Sequence, residues 1–227
     1  MGVATCGLSS QPRRIFAFWP SAIAIESPLP VLYCTDGQAL QHILDTVSPS
    51  AEPWTAPPVA IIGVESSGDA RGEEYLLGVD KSRYQAHESL FIGDVRQWTE
   101  SRLSIRTGRQ HWGIFGFSNG GAFALATGLR HPELFGFVIA FSMARCPKSP
   151  VRVDSQAGRE LRFYLAAGNL GAERMFRKHT AKIARELKRQ GNECRHVERA
   201  GGHSLEWWQR ELSTALSWAL PSTSPCP

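Results

Sequence analysis

The feature that most constrains the fold is a glycine-rich turn between an apolar run and a small-residue run. The turn, Gly116-Phe117-Ser118-Asn119-Gly120, places Ser118 at the centre of a Gly-x-Ser-x-Gly pattern. The residues before it are strand-like, and those after it carry an apolar stripe at helical spacing. A serine on a sharp strand-to-helix turn stands out of its sheet with the hydroxyl exposed. The context favours a nucleophilic serine over a chance serine in a turn.

Composition indicates an ordinary globular chain. Its 227 residues are 42% hydrophobic and 20% charged, which is far from the composition of disordered proteins. No linker or repeat divides the chain, so we expect one domain over residues 1–227. The net charge is +4, but the basic residues are scattered. Those at 185–189 surround Glu186 in a helical pattern, which favours a solvated helix face over a nucleic-acid footprint.

Cysteine spacing and hydropathy narrow the class of protein further. The five cysteines include no Cys-x-x-Cys pair, which argues against a disulfide framework or a zinc site. We expect neither a metal nor another cofactor, and we expect Cys34 and Cys194 to be buried. The first residues lack the apolar core of a signal peptide, and no apolar run approaches the ~20 residues that span a bilayer. The sequence therefore predicts a cytoplasmic protein without a membrane segment.

Strand-like and helix-like segments alternate along the chain. This alternation predicts an α/β protein whose mostly parallel sheet carries helices on both faces. The segment 66–78 is polar and contains glycine, and its length suggests a functional loop. The predicted strands are 14–19, 28–33, 59–64, 112–117, 135–141, 161–167 and 194–198, and the predicted helices are 39–45, 87–103, 122 to about 131, 173–190 and 205–220.

His203 is the best candidate for a catalytic base. It follows the last predicted strand, in the turn Ala200-Gly201-Gly202-His203. Active sites of such sheets collect at the carboxyl ends of the strands, where Ser118 also lies. Imidazole titrates near neutrality, so it can take the serine proton and return it to a leaving group.

The acid that would orient His203 is less clearly marked. Glu173 is the sole carboxylate in the segment 168–173 after the strand 161–167, and it could accept the histidine N–H. It could equally be a helix N-terminal carboxylate that favours the dipole. Asn169 is an alternative orienting group, and the remaining candidates are Asp154, Glu198 and Glu206.

Stabilisation of an oxyanion requires backbone amides near Ser118. The amide of Asn119 lies at the start of the following helix and is one candidate donor. The turn Asp36-Gly37-Gln38 follows an early strand, so the amide of Gly37 or Gln38 could supply the second donor. Arg71 could bind an anionic substrate group, although pairing with a neighbouring glutamate is the commoner outcome. Of Trp207 and Trp208, we expect one in the core and one at the cleft.

Taken together, these motifs resemble the esterase D group, which includes enterochelin-esterase-like proteins. The similarity extends over about residues 13–220. It implies an α/β-hydrolase fold without a large lid domain and a serine esterase or related acyltransferase. It also implies that Ser118 is the nucleophile and His203 the base. The motifs are Tyr33-Cys34-Thr35-Asp36-Gly37-Gln38, Gly63-Val64-Glu65, Gly116-Phe117-Ser118-Asn119-Gly120-Gly121, Tyr164-Leu165-Ala166-Ala167-Gly168 and Gly201-Gly202-His203 with Trp207-Trp208.

The functional hypothesis is a metal-independent hydrolase of carboxylic esters that works through an acyl-enzyme. Small acyl esters and siderophore-type esters are the expected small-molecule substrates. An acyltransferase on the same scaffold is one alternative. A catalytically silent binding protein is another, and the weakly marked acid is its only support. The sequence does not predict the oligomeric state.

Overall fold

The computed structural model describes residues 2–6, 13–19, 28–45, 56–145 and 155–220. Strands and helices alternate through most of these ranges. The strands are β1 (Gly2–Cys6), β2 (Arg13–Phe18), β3 (Val31–Cys34), β4 (Ala60–Val64), β5 (Trp112–Phe117), β6 (Phe137–Phe141), β7 (Arg162–Gly168) and β8 (Cys194–Arg199). The helices are α1 (Gly37–Asp45), α2 (Arg71–Tyr75), α3 (Lys81–Ser89), α4 (Arg96–Arg102), α5 (Asn119–Arg130), α6 (Gln156–Arg159), α7 (Glu173–Arg189) and α8 (Leu205–Ala219).

All of the strands join one eight-stranded sheet, in the order β1-β2-β4-β3-β5-β6-β7-β8. Pairing is parallel from β4 through β8. The two strands at one edge, β1 and β2, are antiparallel. The predicted mostly parallel sheet is therefore confirmed, and β1, which the sequence did not predict, adds an antiparallel edge.

The sheet separates two hydrophobic cores. Along β6 the side chains alternate between them: Phe137, Ile139 and Phe141 belong to one core, while Val138 and Ala140 belong to the other. This period of two is the geometry of an extended strand. Helices α1 and α8 cover one face, and the helices from α2 to α5 together with α7 cover the other. Helices on both faces agree with the prediction.

Two of the predicted segments differ most from the structure. The loop predicted over 66–78 contains a short 3₁₀ turn at Gly68–Ala70 and the helix α2. The helix predicted from residue 87 begins six residues earlier, because Asp80 caps it by accepting a hydrogen bond from the Arg83 amide at 2.9 Å. A π-helical segment, Leu90–Val95, joins α3 to α4. Within the described ranges no helix is both long and apolar enough to cross a bilayer.

The burial of one histidine predicts that the stability of the fold depends on pH. The His87 ring contacts Tyr75, Phe91 and Phe123 at centroid distances of 5.2, 6.0 and 5.2 Å. Burial, with a smaller contribution from the Arg13 charge, lowers the pKa of His87 to about 3. The unfolded chain therefore binds this proton more readily than the folded chain, and stability falls as pH drops from about 6.5 towards 3.

We expect the free energy of unfolding to decrease below pH 6.5 with a slope of up to ~1.4 kcal/mol per pH unit from this single group. Glu74, whose Oε2 lies 3.8 Å from Nδ1 of His87, offsets part of that slope because burial raises its pKa. Urea denaturation at pH 7, 6 and 5 measures the effect. His87→Phe keeps a ring in the cluster and should flatten the profile. Equal slopes in the two proteins would contradict the prediction.

Candidate active site

The carboxyl ends of neighbouring parallel strands bring the predicted site residues to one edge of the sheet. Ser118 follows β5, and His203 lies in the turn after β8. Between them, Ser142 follows β6 and the segment leading to Glu173 follows β7. On the other side of β5, Asp36 and Gly37 follow β3. The topology thus gathers residues that are far apart in the sequence.

Ser118 occupies a strained turn between β5 and α5. Its φ and ψ angles are 55° and −125°, a left-handed conformation that is rare for a residue with a side chain. Two glycines make the turn possible. A Cβ at Gly116 would lie 2.1 Å from the carbonyl oxygen of Gly120, and one at Gly120 would lie 2.2 Å from Oγ1 of Thr35. These are the close contacts expected of a turn that lifts a serine out of the sheet.

Glu173 and His203 form the central pair of the site. Oε1 of Glu173 lies 2.5 Å from Nδ1 of His203. The Glu173 side chain is fully buried, whereas that of His203 is 30% exposed. Glu173 is the first residue of α7, so both interpretations of its position hold: it is a helix N-terminal carboxylate and it contacts the histidine.

The second oxygen of Glu173 is held by groups that the sequence analysis missed. Oε2 accepts hydrogen bonds from the Ser142 hydroxyl at 3.0 Å and from the Gly168 amide at 2.9 Å. The Ser142 hydroxyl in turn accepts one from Nε1 of Trp208 at 3.0 Å. The available signal was positional: Ser142 directly follows the apolar strand β6, as Ser118 follows β5. These bonds satisfy a carboxylate that would otherwise be costly to bury.

Aromatic rings fix the orientation of the His203 ring. Phe176 stacks on it at 4.6 Å, and Trp208 meets it edge-on at 4.8 Å. Trp208 also stacks on Phe117, the neighbour of Ser118, at 4.5 Å. The expectation that one of the two tryptophans lies at the cleft is wrong in detail, because Trp207 and Trp208 are both buried. Trp208 contacts the site from inside the core.

The other candidates that the structure describes form no hydrogen bond or ion pair with His203. The exposed carboxylate of Glu198 pairs with Nη1 of Arg177 at 3.2 Å. Glu206 is exposed in the first turn of α8. The side-chain oxygen of Asn169 is buried and has no hydrogen-bond partner in the described part of the chain. Asp154 falls outside the described residues. Of the candidates that the structure describes, Glu173 is the one that contacts His203.

The predicted oxyanion loop begins α1. Gly37 is buried, and a Cβ there would lie 2.6 Å from the carbonyl carbon of Gly63. The Gln38 side chain donates to Oγ of Ser66 at 2.8 Å. Arg71 pairs with an aspartate rather than with a neighbouring glutamate. Its Nε and Nη2 donate to the two carboxylate oxygens of Asp36 at 2.6 and 2.7 Å, a partner that the sequence analysis did not consider.

Comparison with known proteins places the chain in a family. The sequence model of a family described as “Putative esterase” matches residues 9–219. The chain belongs to this esterase family. Membership supports ester hydrolysis as the activity and confirms the resemblance inferred from the motifs. No curated protein sequence matches this esterase-family chain.

Solved structures share the fold of this esterase-family chain. A ferulic acid esterase has 19% identity and a TM-score of 0.73, with 96% of this chain and 95% of the other covered. Enterobactin esterase from Shigella flexneri has 17% identity and a TM-score of 0.76, over 96% of this chain and 58% of that longer chain. S-formylglutathione hydrolase from Staphylococcus aureus has 12% identity and a TM-score of 0.69, over 97% and 96%. These likenesses confirm the predicted α/β-hydrolase fold.

Proposed function

We propose that this esterase-family protein is a serine hydrolase of carboxylic esters, with Ser118 as nucleophile, His203 as base and Glu173 as the orienting acid. The observation that carries the proposal is the contact between the buried Glu173 carboxylate and Nδ1 of His203. A carboxylate at this nitrogen favours the tautomer with its proton on Nδ1. Nε2 is then the nitrogen that can accept the proton of a serine hydroxyl.

In the first half-reaction, Nε2 of His203 takes the Ser118 proton while Oγ bonds to the acyl carbon. The carbonyl π electrons move to oxygen and form a tetrahedral oxyanion. The amides of Asn119 and of Gly37 or Gln38 are the donors that we assign to this oxyanion. When the intermediate collapses, the bond to the alcohol oxygen breaks and the alcohol leaves with the proton held by His203.

In the second half-reaction, water replaces the alcohol. His203 takes a proton from the water molecule while the water oxygen attacks the acyl carbon. The bond between that carbon and Oγ of Ser118 then breaks, Ser118 takes the proton back from His203, and the carboxylic acid is released. Glu173 stays ionised throughout and stabilises the imidazolium. The hydrogen bonds from Ser142 and Gly168 support this role because they hold the carboxylate in a fixed orientation toward His203.

An exposed apolar residue lies beside the turn that carries His203, and another exposed apolar side chain lies in the first turn of α7; both support an apolar or aromatic acyl group as substrate. Leu170 is 55% exposed and Met175 is 69% exposed. The Leu170 amide donates to the Gly201 carbonyl at 3.0 Å, which places it beside the His203 turn. Ferulic acid esterase and enterobactin esterase are the names of similar structures, so feruloyl esters and siderophore trilactones belong in a substrate panel with small acyl esters.

A fluorophosphonate probe tests the proposed mechanism directly. The probe bonds irreversibly to a serine that a neighbouring base activates. We expect labelling of the native protein at Ser118, located by peptide mass mapping, and no labelling after heat denaturation. Turnover of p-nitrophenyl butyrate without labelling, or labelling at a different serine, would overturn the assignment.

The same assay with added acceptor alcohols separates hydrolysis from acyl transfer. Free acid as the main product supports a hydrolase, whereas a new ester supports the acyltransferase alternative. Absence of both labelling and turnover over the whole panel would support the silent binding protein. The contact between Glu173 and His203 favours the hydrolase over that alternative.

A further inference from the structure

Asp36 and Arg71 form an ion pair beside the proposed oxyanion loop. Nε and Nη2 of Arg71 donate to the two carboxylate oxygens of Asp36, at 2.6 and 2.7 Å. The Ser66 hydroxyl donates to Oδ1 of Asp36 at 3.0 Å. The Asp36 side chain is 3% exposed and that of Arg71 is 25% exposed. A two-point contact of this kind fixes direction as well as distance.

The backbone of Asp36 is held as firmly as its side chain. Its φ angle is 54°, in the left-handed region, and the next residue is Gly37, a proposed oxyanion donor. The Asp36 amide donates to the hydroxyl of the fully buried Tyr75 at 3.0 Å. The Arg71 guanidinium lies over the Tyr75 ring, 5.1 Å from its centroid. Contacts to Asp36 from Ser66, Arg71 and Tyr75 therefore maintain the backbone conformation that precedes Gly37.

The ion pair also contacts the turn that carries Ser118. A Cβ at Gly120 would lie 2.9 Å from Oδ2 of Asp36, so the carboxylate packs against the first turn of α5. Nη2 of Arg71 lies 3.5 Å from the carbonyl oxygen of Phe117, directly before Ser118. The pair therefore bridges the two segments that supply the proposed oxyanion donors, one after β3 and one after β5.

This geometry argues against Arg71 as a receptor for an anionic substrate. Its charge is matched by a nearly buried carboxylate, and Nε and Nη2 are already engaged. An incoming anion would meet a neutral pair and would have to compete with a pre-formed two-point contact. The contacts of Arg71 instead hold two segments of the protein itself in place.

We propose that Asp36, Arg71 and Tyr75 are positioning residues that hold the Gly37 and Gln38 amides at a fixed distance from Ser118 and Asn119. The proposal rests on the serine-esterase function proposed above. A positioning role predicts a defect in kcat rather than in substrate affinity, because the oxyanion exists only after the attack on the acyl carbon.

Arg71→Gln and Tyr75→Phe test the proposal in two different contacts. We expect each to lower kcat for p-nitrophenyl butyrate by about 10- to 100-fold and to change KM by less than about 2-fold. The matched control is Arg130→Gln. Arg130 pairs with the buried Glu88 at 2.8 Å at the opposite end of α5 from Ser118, so this variant should lose stability but keep its kcat.

A second substrate distinguishes positioning from anion binding. Mono-p-nitrophenyl succinate has the same acyl length as the butyrate but carries a negative charge. Equal losses of kcat on both esters support the positioning role. A rise in KM confined to the succinate in Arg71→Gln, or wild-type kcat in both variants, would overturn it. Should Arg71→Gln fail to fold, Tyr75→Phe decides alone. If Ser118→Ala retained full activity, the proposed function itself would fail, whatever these variants show.

Discussion

Ser118→Ala should lower kcat for p-nitrophenyl butyrate by about 10⁴- to 10⁶-fold. The substitution removes the oxygen that we propose bonds to the acyl carbon, and in that mechanism His203 then has no hydroxyl to deprotonate. The backbone at this position already adopts φ 55°, and alanine meets nearly the same strain there as serine. We therefore expect an unchanged fold, so circular dichroism and thermal unfolding should match the wild type while initial rates fall.

Ser101→Ala is the matched control for this experiment. Ser101 lies in α4, is exposed, and donates only to the Trp98 carbonyl at 2.9 Å among the contacts described for it. The control should keep wild-type kcat and should still be labelled by a fluorophosphonate. Wild-type turnover in Ser118→Ala would refute the proposed nucleophile, since no oxygen would remain on that side chain.

The parts of the site that follow from local sequence could be predicted. A strand, two glycines and a small-residue helix specify the turn at Ser118 without reference to the rest of the chain. His203 could be proposed because parallel strands order their carboxyl ends predictably, so a histidine after the last strand reaches the same edge as a serine after β5. The sheet and both layers of helices could be predicted because strand-like and helix-like segments alternate along the chain.

The contacts that depend on side-chain packing could not be predicted. Ser142 and Trp208 are 66 residues apart and meet only because α8 packs on the face of β6. Arg71 and Asp36 are 35 residues apart, and glutamates adjacent to Arg71 in the sequence were the more obvious partners. In the short helix α2, Glu74 does not face Arg71; its carboxylate accepts a hydrogen bond from the Ser67 amide at 2.8 Å instead. Sequence spacing does not carry this information.

Glu173→Gln is expected to lower kcat by about 10³- to 10⁴-fold and to leave KM nearly unchanged. The amide can present N–H groups to Nδ1 of His203, which favours the tautomer protonated on Nε2. That tautomer cannot accept the Ser118 proton, and the imidazolium formed during attack would lose its neighbouring negative charge. Initial rates with p-nitrophenyl butyrate measure both constants.

Glu198→Gln is the control, because Glu198 is a surface carboxylate that pairs with Arg177, a residue of the same helix α7 that carries Glu173. It should leave kcat unchanged. Thermal unfolding of Glu173→Gln must accompany the kinetics, since the buried side chain also accepts from Ser142 and Gly168. A folded Glu173→Gln protein with wild-type kcat would show that Ser118 and His203 act without a third member. A large loss of kcat in a folded protein would instead assign Glu173 a part in the chemistry, since a purely structural carboxylate would alter stability and leave the rate intact.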